Sequence, residues 1–474
     1  MKDLPQPPAS EGDEPATSYA PADEGSTLHG GALVFYDGPL ERLDVVRAVA
    51  RAALVHPHLR NRPVTVPLAA DLLAWTPDAT FRASRQVHVV ELDRTDDRPA
   101  LQQAVEMIWS EPLPVQRPPW QVTVFGDGHG GRSAVLVKAH GTLVRAFGTT
   151  GLVAMLLGTP PDATPPPEPA ARRRPGVVPA LLEAATSLAE QGARRSRALA
   201  GEVRTLLRPG VAIERTREVG RILESAGTLL SSPAPETPWN AELGRERRVA
   251  WLALSRDVLA GIEEMLGGDW EDAWLTVVAD ALGRYLRDRG RTTIGLTLLA
   301  YVPGEEHGYG AAVLSSAARH ATARLVALPV DEMSPGARHA EILRSRHHPL
   351  AAARGSGVEQ IARMSHRLPG PLQSLLGSLC YQAANTIVLD ETAPEECTTL
   401  GLRAATSVVP LAMLPWHVGR AIAASPGRDG TLTVGVTADA ALVPSIEDVV
   451  RALHDAYVDT AAAAGVPPIE PRQR

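Results

Sequence analysis

Histidine is the side chain that exchanges protons near neutral pH without help from its surroundings, so the histidines of this 474-residue chain are the first places to look for chemistry. His140 closes an apolar run, 134–139, and follows closely on Lys138, the only lysine besides Lys2. An imidazole at such a place suits removal of a proton from a hydroxyl; the plain alternative is a packed or capping histidine at a strand end. His347 and His348 are the only adjacent pair, but Pro349 follows them and arginine-rich helical segments flank them, so they read as a coincidence of sequence. No glycine-rich phosphate loop, Ser-His-Asp set or metal-ligand spacing is found. Cys380 and Cys397 are too few for a disulfide framework or a zinc site, which fits a reducing compartment.

The elements that must position His140 follow from periodicity. Apolar runs and helical spacing predict a strand over 31–37 and a helix over 40–55 that stops near Pro57. Strands are expected at 87–92, 120–125 and 134–139, with helices at 100–109 and 150–157, which makes the first lobe mixed α/β. A Pro-, Ala- and Glu-rich stretch, 160–175, reads as a linker, and the Ala-, Leu-, Arg- and Glu-rich 178–230 as one or two connecting helices broken around Pro209. The second lobe is expected to hold strands at 249–254, 293–300, 323–328 and 432–437, a long helix at 270–286 and a terminal helix from Ser445. The resulting division is a disordered tail over 1–29, a first lobe over 30–165, linker and connector over 166–235, and a second lobe over 236–474. Trp270 and Trp274, four apart, form a core stripe, and Trp120 packs within the first lobe.

Charge narrows the partners. A net charge of -7 gives no electrostatic footprint for nucleic acid. The first residues carry no apolar signal region, and nowhere do about 18 apolar residues run together, so the expected location is the cytoplasm. Arg194, Arg195, Arg197, Arg204 and Arg208, interleaved with Leu188, Leu199, Leu206 and Leu207, leave two readings open: a basic face for anionic membrane or lipid-droplet surfaces, or a surface helix whose apolar stripe lies on a lobe.

One ordered set of residues resembles a known family. It runs through His56-Pro57, Leu59-Arg60, Arg62, Trp75, Phe81, His88, Pro112-Leu113, Arg117-Pro118-Pro119-Trp120 and Gly131-Arg132 to Lys138-Ala139-His140. It continues with Trp239-Asn240, Arg247-Arg248-Val249, Glu271-Asp272, Leu282, Arg284, Tyr285-Leu286, Leu328-Pro329, Pro335, Arg338, Asn385, Asp439 and Val443-Pro444. The set is similar to the wax ester synthase/diacylglycerol acyltransferases, relatives of the CoA-dependent acyltransferases and condensation domains. The resemblance implies two chloramphenicol-acetyltransferase-like α/β lobes joined by a helical connector, with a central channel where an acyl-CoA meets a hydrophobic alcohol or diacylglycerol. Acyl-CoA would be a substrate, and no cofactor or metal is implied. Lys138 and Asn385 would line the channel.

The family's catalytic signature is His-His-x-x-x-Asp-Gly, and here the corresponding residues are His140, Gly141, Thr142, Leu143, Val144, Arg145 and Ala146. The second histidine, the base in the family, is therefore Gly141; the Asp is Arg145 and the Gly is Ala146. Glycine takes no proton from an alcohol, and Arg145 reverses the charge where an anion is wanted. Adjacent side chains on a strand face opposite ways, so His140 faces away from the base's place unless the extra residue over 147–151 introduces a bulge. Two functions follow: an acyltransferase with His140 as candidate base, or a non-catalytic homologue that binds an acyl ligand or pairs with an active paralogue.

Overall fold

The apolar runs of the first half assemble one twisted sheet. In chain order the elements are β1 (His29–Tyr36), α1 (Arg42–Val55), β2 (Asn61–Thr65), β3 (Leu73–Pro77), α2 (Ala83–Gln86), β4 (Val87–Glu91), α3 (Arg98–Ser110), β5 (Trp120–Gly126), β6 (Ser133–His140) and α4 (Thr149–Leu157). The second half supplies β7 (Arg247–Ser255), α5 (Arg256–Leu266), α6 (Trp270–Arg287), β8 (Thr297–Pro303), β9 (Ala323–Pro329), α7 (Pro335–His347), β10 (Thr386–Asp390), β11 (Thr399–Leu400), β12 (Arg403–Leu411), β13 (Arg420–Pro426), β14 (Thr431–Asp439) and α8 (Ile446–Ala463). The computed structural model describes residues 28–65, 73–114, 116–126, 131–141, 143–144, 148–159, 234–303, 323–347, 383–390, 399–400, 403–415, 417–427 and 429–467. The expected helical connector, with its arginines, lies outside these residues.

Two six-stranded sheets form, in the orders β11-β12-β1-β6-β5-β4 and β7-β14-β13-β10-β8-β9, while β2 and β3 make a separate hairpin. The first order corrects the expected boundary between lobes. The segment 399–411, assigned by sequence to the second lobe, pairs with β1 of the first, Val34 opposite Val408. Nothing local in that segment signals which sheet it joins, because register between distant strands is a tertiary choice.

Alternation along the strands builds the layers. Val135, Val137 and Ala139 of β6 pack with Val45, Val49 and Ala52 of α1 and Leu152, Val153 and Leu156 of α4. The intervening Ala134 and Leu136 face the other way, onto Leu101, Val105 and Trp109 of α3 and Val249 and Trp251 of β7. Helix α3 thus lies between the first sheet and the leading strand of the second. In the second lobe α5, α6 and α8 cover one sheet face. Helix α6 is buried nearly all round, and it starts on a capping box in which Asp269 accepts from the Asp272 amide and Asp272 accepts from the Asp269 amide. The landmark Asp272 is therefore a helix cap. The sheets approach each other closely at β12 and β14: a Cβ on Gly435 would sit 1.8 Å from the Pro410 carbonyl oxygen, so only glycine fits.

Candidate active-site region

His140 is the last residue of β6, and alternation puts it on the same face as Ala134, Leu136 and Lys138, the face turned toward α3 and β7. Its amide donates to the Pro119 carbonyl at 2.9 Å, and the residue is 8% exposed. Directly opposite, in register on β1, stands His29. The sequence division placed His29 in the tail; it instead opens a strand, and nothing but its place ahead of Gly30-Gly31 and an apolar run could have pointed there.

Lys138, expected to line the channel, is placed against the end of α3. It is fully buried, and its ammonium donates to the Ile108 carbonyl at 2.6 Å and to the Glu111 carbonyl. Both carbonyls lie at the C-terminal end of α3, where the helix dipole favours a cation, and the Ile108 oxygen also accepts from the Glu111 amide at 3.3 Å. Burial pulls the Lys138 pKa down to about 7, opposed by the Glu111 charge. Asn385 is equally enclosed. Its side-chain oxygen accepts from the Leu299 amide at 2.9 Å, and its side-chain nitrogen donates to the Pro235 carbonyl at 2.6 Å and Asn240 Oδ1 at 2.9 Å. It ties β8 to the 234–240 segment, and every polar atom of its amide has a task inside the lobe. Both expected channel residues are thus built into the frame.

His29 is a different case. Its ring meets Trp109 edge-on, with centroids 4.8 Å apart, and both ring nitrogens are buried beside the Trp109 main chain. Burial first, then the charges of Lys138 and Arg247, hold its pKa well below the ordinary histidine value, opposed in part by the Trp109 main chain. A base whose folded pKa is depressed is neutral in the folded state, while the unfolded chain binds a proton near pH 6.5. Its contribution to stability is present above that pH and lost below it, by about 1.4 kcal/mol per pH unit until the folded pKa is reached. Denaturant unfolding between pH 7 and pH 5 should therefore fall more steeply for the wild type than for His29→Phe, which keeps the ring against Trp109. Parallel pH profiles would show that His29 is not the titrating group.

Gly141 follows the strand, its amide donating to the Leu28 carbonyl at 2.9 Å. A Cβ built there would lie 3.1 Å from Leu28 Cγ and 3.1 Å from Met413 Sδ. Two apolar side chains therefore bound the place a side chain at 141 would enter. Arg145 and Ala146 lie outside the described residues. At the neighbouring seam, Arg247 of β7 pairs with Asp439 of β14 at 2.9 Å, both buried. The Arg247 amide donates to Ser110 Oγ at 2.9 Å and Glu106 accepts from the Val249 amide at 3.1 Å, so α3 is stitched to β7. Among the described residues no three His, Cys, Asp or Glu side chains gather as a metal site, and no helix is long and apolar enough to cross a membrane.

The family model for the wax ester synthase/diacylglycerol acyltransferase catalytic domain matches residues 22–274, just over half of the chain. The chain belongs to the wax ester synthase/diacylglycerol acyltransferase family. Among curated relatives, a Mycobacterium tuberculosis protein whose diacylglycerol O-acyltransferase assignment is itself inferred is 28% identical over 252 residues, 53% of this chain and 48% of that protein. A Mycobacterium bovis protein with the same kind of assignment is 26% identical over 372 residues, 73% of this chain and 72% of the other. The match to the first of these spans about half its length. The wax ester synthase/diacylglycerol acyltransferase of Marinobacter aquaeolei VT8 superposes with a TM-score of 0.60 at 16% identity, covering 93% of this chain and 95% of that one. The first condensation domain of the calcium-dependent antibiotic synthetase gives 0.55 at 17% identity, covering 94% and 93%. The fold is therefore that of the two-lobed acyltransferases and condensation domains. In this wax ester synthase/diacylglycerol acyltransferase family member, β6 ends at His140 and the next residue is glycine.

Proposed function

We propose that this family member binds an acyl donor of the acyl-CoA class between its lobes without transferring the acyl group. The observation that carries the reading is position 141, where a glycine faces Leu28 and Met413. A thioether and a leucine make an apolar wall suited to an acyl chain, and they supply no proton acceptor. His140 sits on the face of β6 turned toward α3, beside buried His29 and Lys138. The reading places the protein in the cytoplasm, with an acyl carrier protein as the alternative donor.

Two measurements on the purified protein test this. Calorimetric titration with palmitoyl-CoA should give saturable binding, and thiol release from palmitoyl-CoA should stay at the protein-free rate across long-chain alcohols and diacylglycerol. Protein-dependent thiol release abolished by His140→Ala would replace this reading with a working transferase whose base is His140. Absence of binding would remove the acyl donor from both.

A further inference from the structure

Three arginines are buried among the described residues, and two of them meet a carboxylate. Arg247 pairs with Asp439 at 2.9 Å, and Arg338 pairs with Asp280 at 3.1 Å. Arg420 is the exception. It opens β13, is 0% exposed, and with Ile422 and Ala424 at alternate positions it faces the helix layer of the second lobe. Its guanidinium carbon lies 3.8 Å from the centroid of the Trp239 ring and 5.4 Å from that of Tyr285. None of Nε, Nη1 and Nη2 has a hydrogen-bond partner.

Stacking on aromatic faces stabilises the cation but leaves the donors unused. The five N–H groups of a guanidinium lie in its plane, whereas a ring over its face touches only the π system. A buried ion without in-plane partners carries a desolvation cost that a cation–π contact alone does not offset. Two escapes are closed. Loss of the proton is one: burial lowers the Arg420 pKa only to about 9, so the cation persists at neutral pH. A phenolate at Tyr285 is the other, and burial raises the Tyr285 pKa, which keeps the phenol neutral. Nearby charge does not help, since Arg289 stacks on Tyr285 at 3.6 Å and takes Asp448 as its own partner at 3.0 Å. The surroundings are also held rigidly, because the Trp239 indole N–H donates to the Asn385 carbonyl at 2.8 Å and the Trp239 and Tyr285 rings meet at 66°.

From this geometry we infer that Arg420, Trp239 and Tyr285 form an internal binding site for a small monovalent anion of the halide class, chloride being the physiological occupant, held in the guanidinium plane. Enclosure selects for size, because a fully buried cation flanked by two aromatic rings and a sheet excludes phosphate esters and acyl-CoA. A water molecule would accept hydrogen bonds but bring no charge. The site is independent of the region around Gly141 and of whether the protein transfers acyl groups.

The test compares the full-length wild type in potassium chloride and in potassium gluconate at equal ionic strength and pH. Chloride should raise the melting temperature saturably, by about 2–4 °C at tenfold over its dissociation constant. Arg420→Met, which fills the aromatic box without charge, should melt at the same temperature in both salts. Equal wild-type melting temperatures in the two salts would overturn the proposal. Should Arg420→Met fail to fold, crystals of the wild type grown in bromide decide the matter. An anomalous bromide peak within hydrogen-bond distance of the Arg420 nitrogens is the expected result, and its absence there refutes the site.

Discussion

The triple variant Gly141→His, Arg145→Asp, Met413→Ala should transfer an acyl group from acyl-CoA to a long-chain alcohol about 10²- to 10⁴-fold faster than the wild type, the factor a positioned general base supplies. Each change answers a separate obstacle. The histidine restores a group that titrates near neutrality and can take the hydroxyl proton as the thioester is attacked. Its Cβ would sit 3.1 Å from Met413 Sδ, so the shorter alanine opens room for the ring. An arginine at 145 would disfavour the imidazolium formed during transfer, and aspartate reverses that charge. Gly141→His alone should gain little. If the triple variant binds palmitoyl-CoA as the wild type does yet gains no turnover, a missing base is not what silences the site.

Removing the carboxylate of Asp439 should cost about 3–5 kcal/mol of unfolding free energy, because it leaves the Arg247 guanidinium buried without the Asp439 counter-charge, still donating to the Gly244 and Glu246 carbonyls. Asp439 does more than balance charge: its Oδ1 accepts from the Ala441 and Leu442 amides, while Oδ2 takes Arg247 at 2.9 Å. Burial already depresses the Arg247 pKa, and the Asp439 charge opposes that shift. Urea unfolding of Asp439→Ala and Asp439→Asn separates the parts, since Asn keeps an acceptor for the amides and loses the charge. An Asn variant as stable as the wild type would mean that the charge itself contributes nothing.

Much of the frame was legible in the sequence because it is written locally. The apolar runs of β1, β5 and β6 and the buried, capped α6 announce themselves through period and punctuation, and they fall within a few residues of where they were expected. What stayed hidden depends on partners far along the chain. The alternation of β6 shows that Lys138 and His140 share a face, but not that the last carbonyls of α3 lie over Lys138. The lone Asn385 looks like a channel residue until the Leu299 amide and Asn240 are seen to take up its amide. A glycine at 141 was readable; the approach of Leu28 and Met413 to it was not, since Met413 follows β12 from the other half. Short elements such as the β2–β3 hairpin, with Pro63 inside it, carry too little pattern to be seen.

The strand contributed by 403–411 sets a timetable for synthesis on the ribosome. β1 and β6 emerge early and can pair at once, yet the other edge of β1 is covered only by β12. At elongation rates of roughly 5–20 residues per second, that edge stays open to solvent for tens of seconds in the nascent chain. An uncovered strand edge is a template for pairing with other chains. A chaperone that shields the nascent first sheet, or slow release that allows β12 to arrive before dissociation, should therefore govern the yield of this protein more than the intrinsic stability of either sheet.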